Sequence, residues 1–173
     1  MANQYFVKLV LFLVLTGSGI CTIHAQKKDE ADKKTVESLQ SAFLMEKMLL
    51  EKQYVFKAQT FLTTSSGTRQ LTPNEYDIRL KKDSLIVFLP YFGQSYSAQM
   101  SRVDGDGIKL ASTKFDYSAV EKKNGKWLVS IKPKDSREVQ LLYLTIFNNG
   151  AAMLQVTSTN REPMTYNGYV MAQ

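Results

Sequence analysis

The chain has 173 residues, a formal net charge of +6, one Cys and one His. That length fits one ordinary domain. Cys21 and His24 both precede residue 26, so the chain beyond it offers no disulfide, no imidazole base, no His-bearing metal site and no thiol nucleophile.

In chain order, Lys8 precedes "LVLFLVLTGSGICTIHAQ", whose apolar core from Leu9 to Leu15 is broken by Thr16–Gly19. A spanning helix needs about 20 apolar residues. A short core after a positive charge, ending at a small residue, reads as a cleaved secretory signal. Residues 1–25 are therefore expected to be removed after Ala25, sending the protein to the periplasm or the medium. The rival is a lipoprotein cut before Cys21, although Ile20 is larger than such a cut prefers. The 21 basic and 16 acidic residues from position 26 onward leave +5. Lys27-Lys28, Lys33-Lys34, Lys81-Lys82 and Lys122-Lys123 with Lys126 are scattered, as on a solvated surface with weak attraction to anionic envelope material. Without clustered Arg or a binding motif, nucleic acid is not an expected partner.

Residues 26–34, "QKKDEADKK", read as a flexible charged lead-in to a single domain over 35–173. A helix is predicted at about 35–53, where Val36, Leu39, Phe43, Leu50 and Tyr54 fall within about 60° of one another at 3.6 residues per turn. Leu44, Met45, Met48 and Leu49 widen its apolar face, the methionines as gap fillers.

From Tyr54 the period falls to two. "YVFKAQTFLTT" is a strand ended by "SSGT". In "EYDIRLK", Tyr76, Ile78 and Leu80 face inward and Asp77, Arg79 and Lys81 face water. "DSLIVFLP" is apolar on both faces, as a central strand would be. "TKFDYSAVE" turns Phe115, Tyr117 and Ala119 inward. Asn124-Gly125 joins it to "KWLVSI", because both hairpin residues must accept positive φ. Trp127, Val129 and Ile131 continue the inner face. Asn149-Gly150 links two further strands. "MTYNGYVMA" closes the chain, with Asn167-Gly168 a bulge or a turn. One helix and eight or nine strands with short links exclude parallel crossovers. The expected fold is a mainly β antiparallel meander closing into a barrel, with a β-sandwich as the alternative.

"IVFLPYFGQSYS" is the most distinctive stretch. Pro90 cannot donate to a sheet ladder, and Gly93 permits a bend that swings Tyr91 and Phe92 across one end of the sheet. Tyr96 and Met100 then resume a strand. The aromatics either seal the core or form a mouth for a small apolar ligand, and barrels of eight strands do both. "VDGDGIK" is a weak metal loop: Asp104 and Asp106 are two apart, but Ile108 stands where a calcium loop needs an oxygen ligand. A polar turn is the plainer reading. No nucleophile elbow, Ser-x-x-Lys or phosphate-cradling loop occurs beyond the signal, and no cofactor is expected.

The helical lead-in, "VFLPYFGQSY", "KNGKW" and "VTSTNREPMTYNGYV" together resemble the family catalogued as domain of unknown function 4251, secreted or envelope proteins of Bacteroidota. The resemblance spans nearly all of the chain after the signal. It implies a calycin-like, lipocalin-related barrel and carries no assigned activity or catalytic residue. The expected function is a non-enzymatic periplasmic domain binding a small, partly apolar or envelope-derived ligand near Tyr91, Phe92, Tyr96 and Trp127. The rivals are a solid-core interaction module and a hydrolase using two facing carboxylates.

Overall fold

The structure, a computed structural model, describes residues 22–63, 67–91 and 107–173. Two compact units divide the chain, residues 1–40 and 41–173. The described part of the first is the leading portion of one helix, α1 (Thr22–Leu50). The expected lead-in at 26–34 is thus helical: it is rich in Lys, Glu, Gln and Ala, and no Gly or Pro interrupts the run from Thr22 onward. Val36 and Leu39, expected on a buried stripe, are exposed. Among the described residues no helix is long and apolar enough to cross a membrane.

The second unit begins with the last turns of α1. The helix stops at Leu50, three residues before the expected end. The Gln53 N–H donates to the Met48 carbonyl (2.9 Å) and the Lys52 N–H to that of Leu49 (3.3 Å). This pair of bonds is a Schellman stop, with Lys52 in the left-handed position at φ 56°.

Among the described residues ten antiparallel strands follow: β1 (Tyr54–Thr63), β2 (Gly67–Gln70), β3 (Asp77–Lys81), β4 (Ser84–Leu89), β5 (Ile108–Ser112), β6 (Phe115–Lys122), β7 (Lys126–Pro133), β8 (Val139–Ile146), β9 (Ala151–Ser158) and β10 (Met164–Ala172). They form one sheet in the order β5-β4-β3-β1-β10-β9-β8-β7-β6, with β2 on β1. The first long strand therefore pairs with the last, Tyr54 opposite Ala172 through Leu62 opposite Thr165. Following the antiparallel ladders from β1 in both directions, β5 and β6 point the same way, only two residues apart. They act as one interrupted strand: β5 pairs with β4, and β6 with β7. The sheet is thus nearly closed, and the barrel reading holds over the sandwich. β2 and β5 are the strands the sequence pattern missed; β2 is short and wholly exposed.

The two predicted Asn-Gly hairpins are present, whereas the expected bend at Gly93 and most of the expected polar turn at 103–109 lie outside the described residues. Lys122 pairs with Lys126 across a three-residue link in which Asn124 (φ 65°) and Gly125 (φ 64°) both take the left-handed conformation. At Asn149-Gly150 only the glycine does so, at φ 82°. Asn167-Gly168 lies within β10, and the irregularity is on the partner, between Ala58 and Thr60 of β1.

The interior is apolar and continuous. Tyr54, Phe56, Ile78, Leu80, Leu85 and Leu89 meet Val129, Ile131, Leu142, Leu144, Leu154 and Tyr166 in a single cluster. Phe115, Tyr117 and Ala119 of β6 pack half-buried against it. Two outer-face expectations change. Ile86 of β4 is exposed, so that strand is covered on one face only. Asp77 is buried rather than wet, because Lys57 (2.7 Å) and Arg79 (3.1 Å) neutralise its carboxylate.

Candidate functional site

The strand directions define two ends of the barrel. At the loop end β4 finishes and β10 begins; at the helix end β7 begins and β10 finishes. Of the residues singled out in sequence, Phe92, Tyr96, Asp104 and Asp106 lie outside the described residues. Tyr91 and Trp127 can be placed, and they lie at opposite ends. Even the six residues of β4 span roughly 20 Å, so one small ligand would not touch both. Trp127 is buried, opposite Glu121 of β6 and Ile146 of β8.

At the loop end, Tyr91 is half-buried beneath the Arg161 guanidinium, 4.8 Å from its ring centroid. The Tyr91 hydroxyl donates to the Glu162 carbonyl at 3.4 Å. Arg161 Nε lies 2.9 Å from Glu138 Oε1, a charge pair rather than an aligned hydrogen bond. The buried Tyr166 hydroxyl donates to the Pro90 carbonyl at 2.6 Å. Burial pushes that phenol well above its ordinary range, with Tyr91 adding to the effect. These described contacts tie the β9–β10 link to the end of β4. Among the described residues no group of three or more His, Cys, Asp or Glu gathers as a metal site.

At the helix end, Met45, Met48 and Leu49 turn into the core. The Tyr117 hydroxyl donates to the Leu49 carbonyl at 2.8 Å, and Lys52 Nζ stands 5.4 Å from the Tyr117 ring centroid. Tyr54 is fully buried beside it. Desolvation raises both phenols, Tyr117 to about 12.

Between these last turns and the end of β10 lies an open groove of about 420 Å³. Leu44, Met45, Met48, Val170 and Met171 give it an apolar floor and walls, and Lys47 and Glu51 stand among them as the charged residues. Leu44 and Met171 are exposed. A neighbouring hollow around Leu50–Gln53, Lys82 and Asp83 is more charged, and another, around Lys132 and Thr157, is more polar. The groove has the size of a small-molecule site and the adaptable methionine lining that suits apolar chains. Sequence reasoning did not single out Met171. The available signal was its position in β10, where Tyr166 and Val170 face inward and Met171, five residues after Tyr166, must face out.

The family model for Domain of unknown function (DUF4251) matches residues 37–170. The chain belongs to the DUF4251 family. No curated protein matches it. The crystal structure of a DUF4251 family protein from Bacteroides eggerthii DSM 20697 resembles it with a TM-score of 0.60 at 17% identity, covering 78% of this chain and 87% of that one. At that identity the likeness speaks for the DUF4251 fold alone. The family match begins within α1 and ends in β10, so it spans β1 to β9, most of β10 and most residues of the groove.

Proposed function

We propose that this DUF4251 chain is a non-enzymatic binding module of the cell envelope, and that its groove beside α1 and β10 holds the alkyl part of a small lipid-derived molecule. The observation that carries this reading is the groove itself: about 420 Å³ of open space with methionine, leucine and valine walls. Burying an alkyl chain there removes apolar area from water on both sides, at about 25 cal/mol per Å² before ordering costs. Lys47 and Glu51 provide polar partners for a headgroup. A ligand outside the barrel accords with the packed interior, whose inward side chains are almost all below a tenth exposed. The envelope location rests on the signal-like residues 1–25, and the non-enzymatic reading on the missing His and Cys beyond them.

Native mass spectrometry of protein purified from its own envelope tests both halves. The expected result is a retained lipid-sized mass on a chain beginning at Gln26, or at an acylated Cys21 if the rival signal operates. Adding dodecanoate or a neutral alkyl detergent is expected to raise the melting temperature. Leu44→Asp or Met171→Asp, both at exposed positions, is expected to abolish the rise. Absence of a retained mass together with no thermal shift would sink the ligand reading. The solid-core interaction module, which the packed interior also supports, would then stand.

A further inference from the structure

The last two turns of α1 carry a second exposed face, separate from the groove's apolar floor. Phe43, Glu46, Lys47 and Leu50 recur at i, i+3, i+4 and i+7 and fall within an arc of about 100°. All four are exposed, Phe43 at 64% and Leu50 at 59%. Among the described residues neither Glu46 nor Lys47 has an ion-pair partner in its own chain. Large apolar side chains presented to water on one helical face mark an interaction surface. The arrangement along this face also specifies its partner.

Val36 and Leu39 lie on the same exposed arc further up the helix, but within residues 43–50 the stripe reads the same from either end, apolar, charged, charged, apolar, and its two charges are opposite. A two-fold axis between residues 46 and 47 places Phe43 against Leu50 of a second copy and Leu50 against that copy's Phe43. The same axis puts Glu46 against Lys47 of the second copy, and Lys47 against its Glu46. A stripe that complements its own two-fold image is the requirement for an isologous contact. A parallel arrangement would instead oppose Glu46 to Glu46 and Lys47 to Lys47. We infer that this face pairs two copies of the chain in solution, with the ends of the two α1 helices antiparallel. Four side chains cover less than the roughly 800 Å² per partner of a standard interface, so the dimer is weak and salt-sensitive.

Sedimentation equilibrium of the full chain from micromolar to about millimolar tests this. The expected result is a reversible monomer–dimer equilibrium that shifts toward monomer as salt rises. Lys47→Glu sets four carboxylates across the axis and is expected to weaken association about tenfold. The double variant Glu46→Lys with Lys47→Glu reverses both charges, keeps the self-complementarity and is expected to restore association to within about threefold. Phe43→Ser is expected to dissociate the dimer at any salt. A wild-type chain that stays monomeric throughout overturns the inference. So does a dimer indifferent to Lys47→Glu and Phe43→Ser, or a double variant that fails to recover. Far-ultraviolet spectra and melting temperatures close to wild type establish that each exposed substitution leaves the fold intact. Lys47 also stands in the groove lining, but Phe43 and Glu46 do not; with mass as the readout, loss of association in Phe43→Ser is separate from failure of ligand retention in the groove.

Discussion

At the scale of single residues, the sharpest demand is made by Gly168. A Cβ there would run into the Lys57 carbonyl oxygen and press on the Ala58 Cα. These are backbone atoms of β1, pinned by pairing with β10, so no flexible side chain can give way. Its φ is not positive, so the need is for room rather than for an unusual conformation. Gly168→Ala is expected to cost about 2–3 kcal/mol, as overpacking in a fixed frame does. Asn167→Ala beside it, exposed, should stay within about 0.5 kcal/mol. Urea denaturation of the two variants checks the pair; equal midpoints would mean that the strands separate without cost. The sequence shows a glycine inside a strand pattern and so flags a bulge or a close approach. It does not show which, because the irregularity belongs to Gln59 on a strand more than 100 residues earlier.

At the scale of elements, α1 shows where sequence periodicity succeeds and where it stops. The existence of the helix was legible, because apolar spacing and the lack of Gly and Pro both point to it. Its orientation was not. Two apolar arcs compete, Val36, Leu39, Phe43 and Leu50 against Met45, Met48 and Leu49, and the longer one is exposed. Periodicity finds faces; only the partner surface decides which face is covered. The end was hidden too, since the left-handed stop falls on Lys52, where a glycine would have announced it. Leu49→Ala is expected to cost about 2–5 kcal/mol. Leu50→Ala, its exposed neighbour, should cost less than about 0.5 kcal/mol. Thermal melts of the two variants decide the matter, and a reversed order would put the helix the other way round. The strands were easier to read, because a period of two with Asn-Gly hairpins leaves few options. β4 was misjudged only on its outer face, where Ile86 stays in water and Phe88 stacks on Tyr76 with centroids 5.5 Å apart. The candidate site was the least legible part. Tyr91 and Trp127 look alike as aromatics near strand ends, but strand direction sends them to opposite mouths, and direction emerges only once every ladder is counted.

At the scale of the whole molecule, the barrel is fastened at both ends by tyrosine hydroxyls, and this sets its behaviour in alkali. Tyr117 and Tyr54 lie beneath the end of α1; Tyr166 lies under Pro90 at the loop end. Desolvation raises all three phenols above their ordinary value of 10, Tyr117 to about 12. The folded chain therefore keeps protons that the unfolded chain gives up. Stability from these groups is intact below pH 10 and is lost as pH climbs from 10 through the folded values. Each such group steepens the loss by about 1.4 kcal/mol per pH unit within that window. The urea midpoint of the wild type is thus expected to hold up to pH 10 and then to fall steeply by pH 11.5. Absorbance at 295 nm should show tyrosinate appearing together with unfolding rather than ahead of it. Tyr117→Phe loses the bond to the Leu49 carbonyl and starts about 1 kcal/mol less stable at pH 8. It has no proton to surrender, so its stability should decline less steeply above pH 10. Tyr166→Phe should behave likewise from the opposite end, and the double variant should be flatter than either. Lysine deprotonation occurs in the same range but is common to all four proteins, so the difference in slope isolates the phenols. If the variants fall as steeply as the wild type, the hydroxyls do not hold the two ends shut, and the alkaline limit must be traced to the surface charges instead.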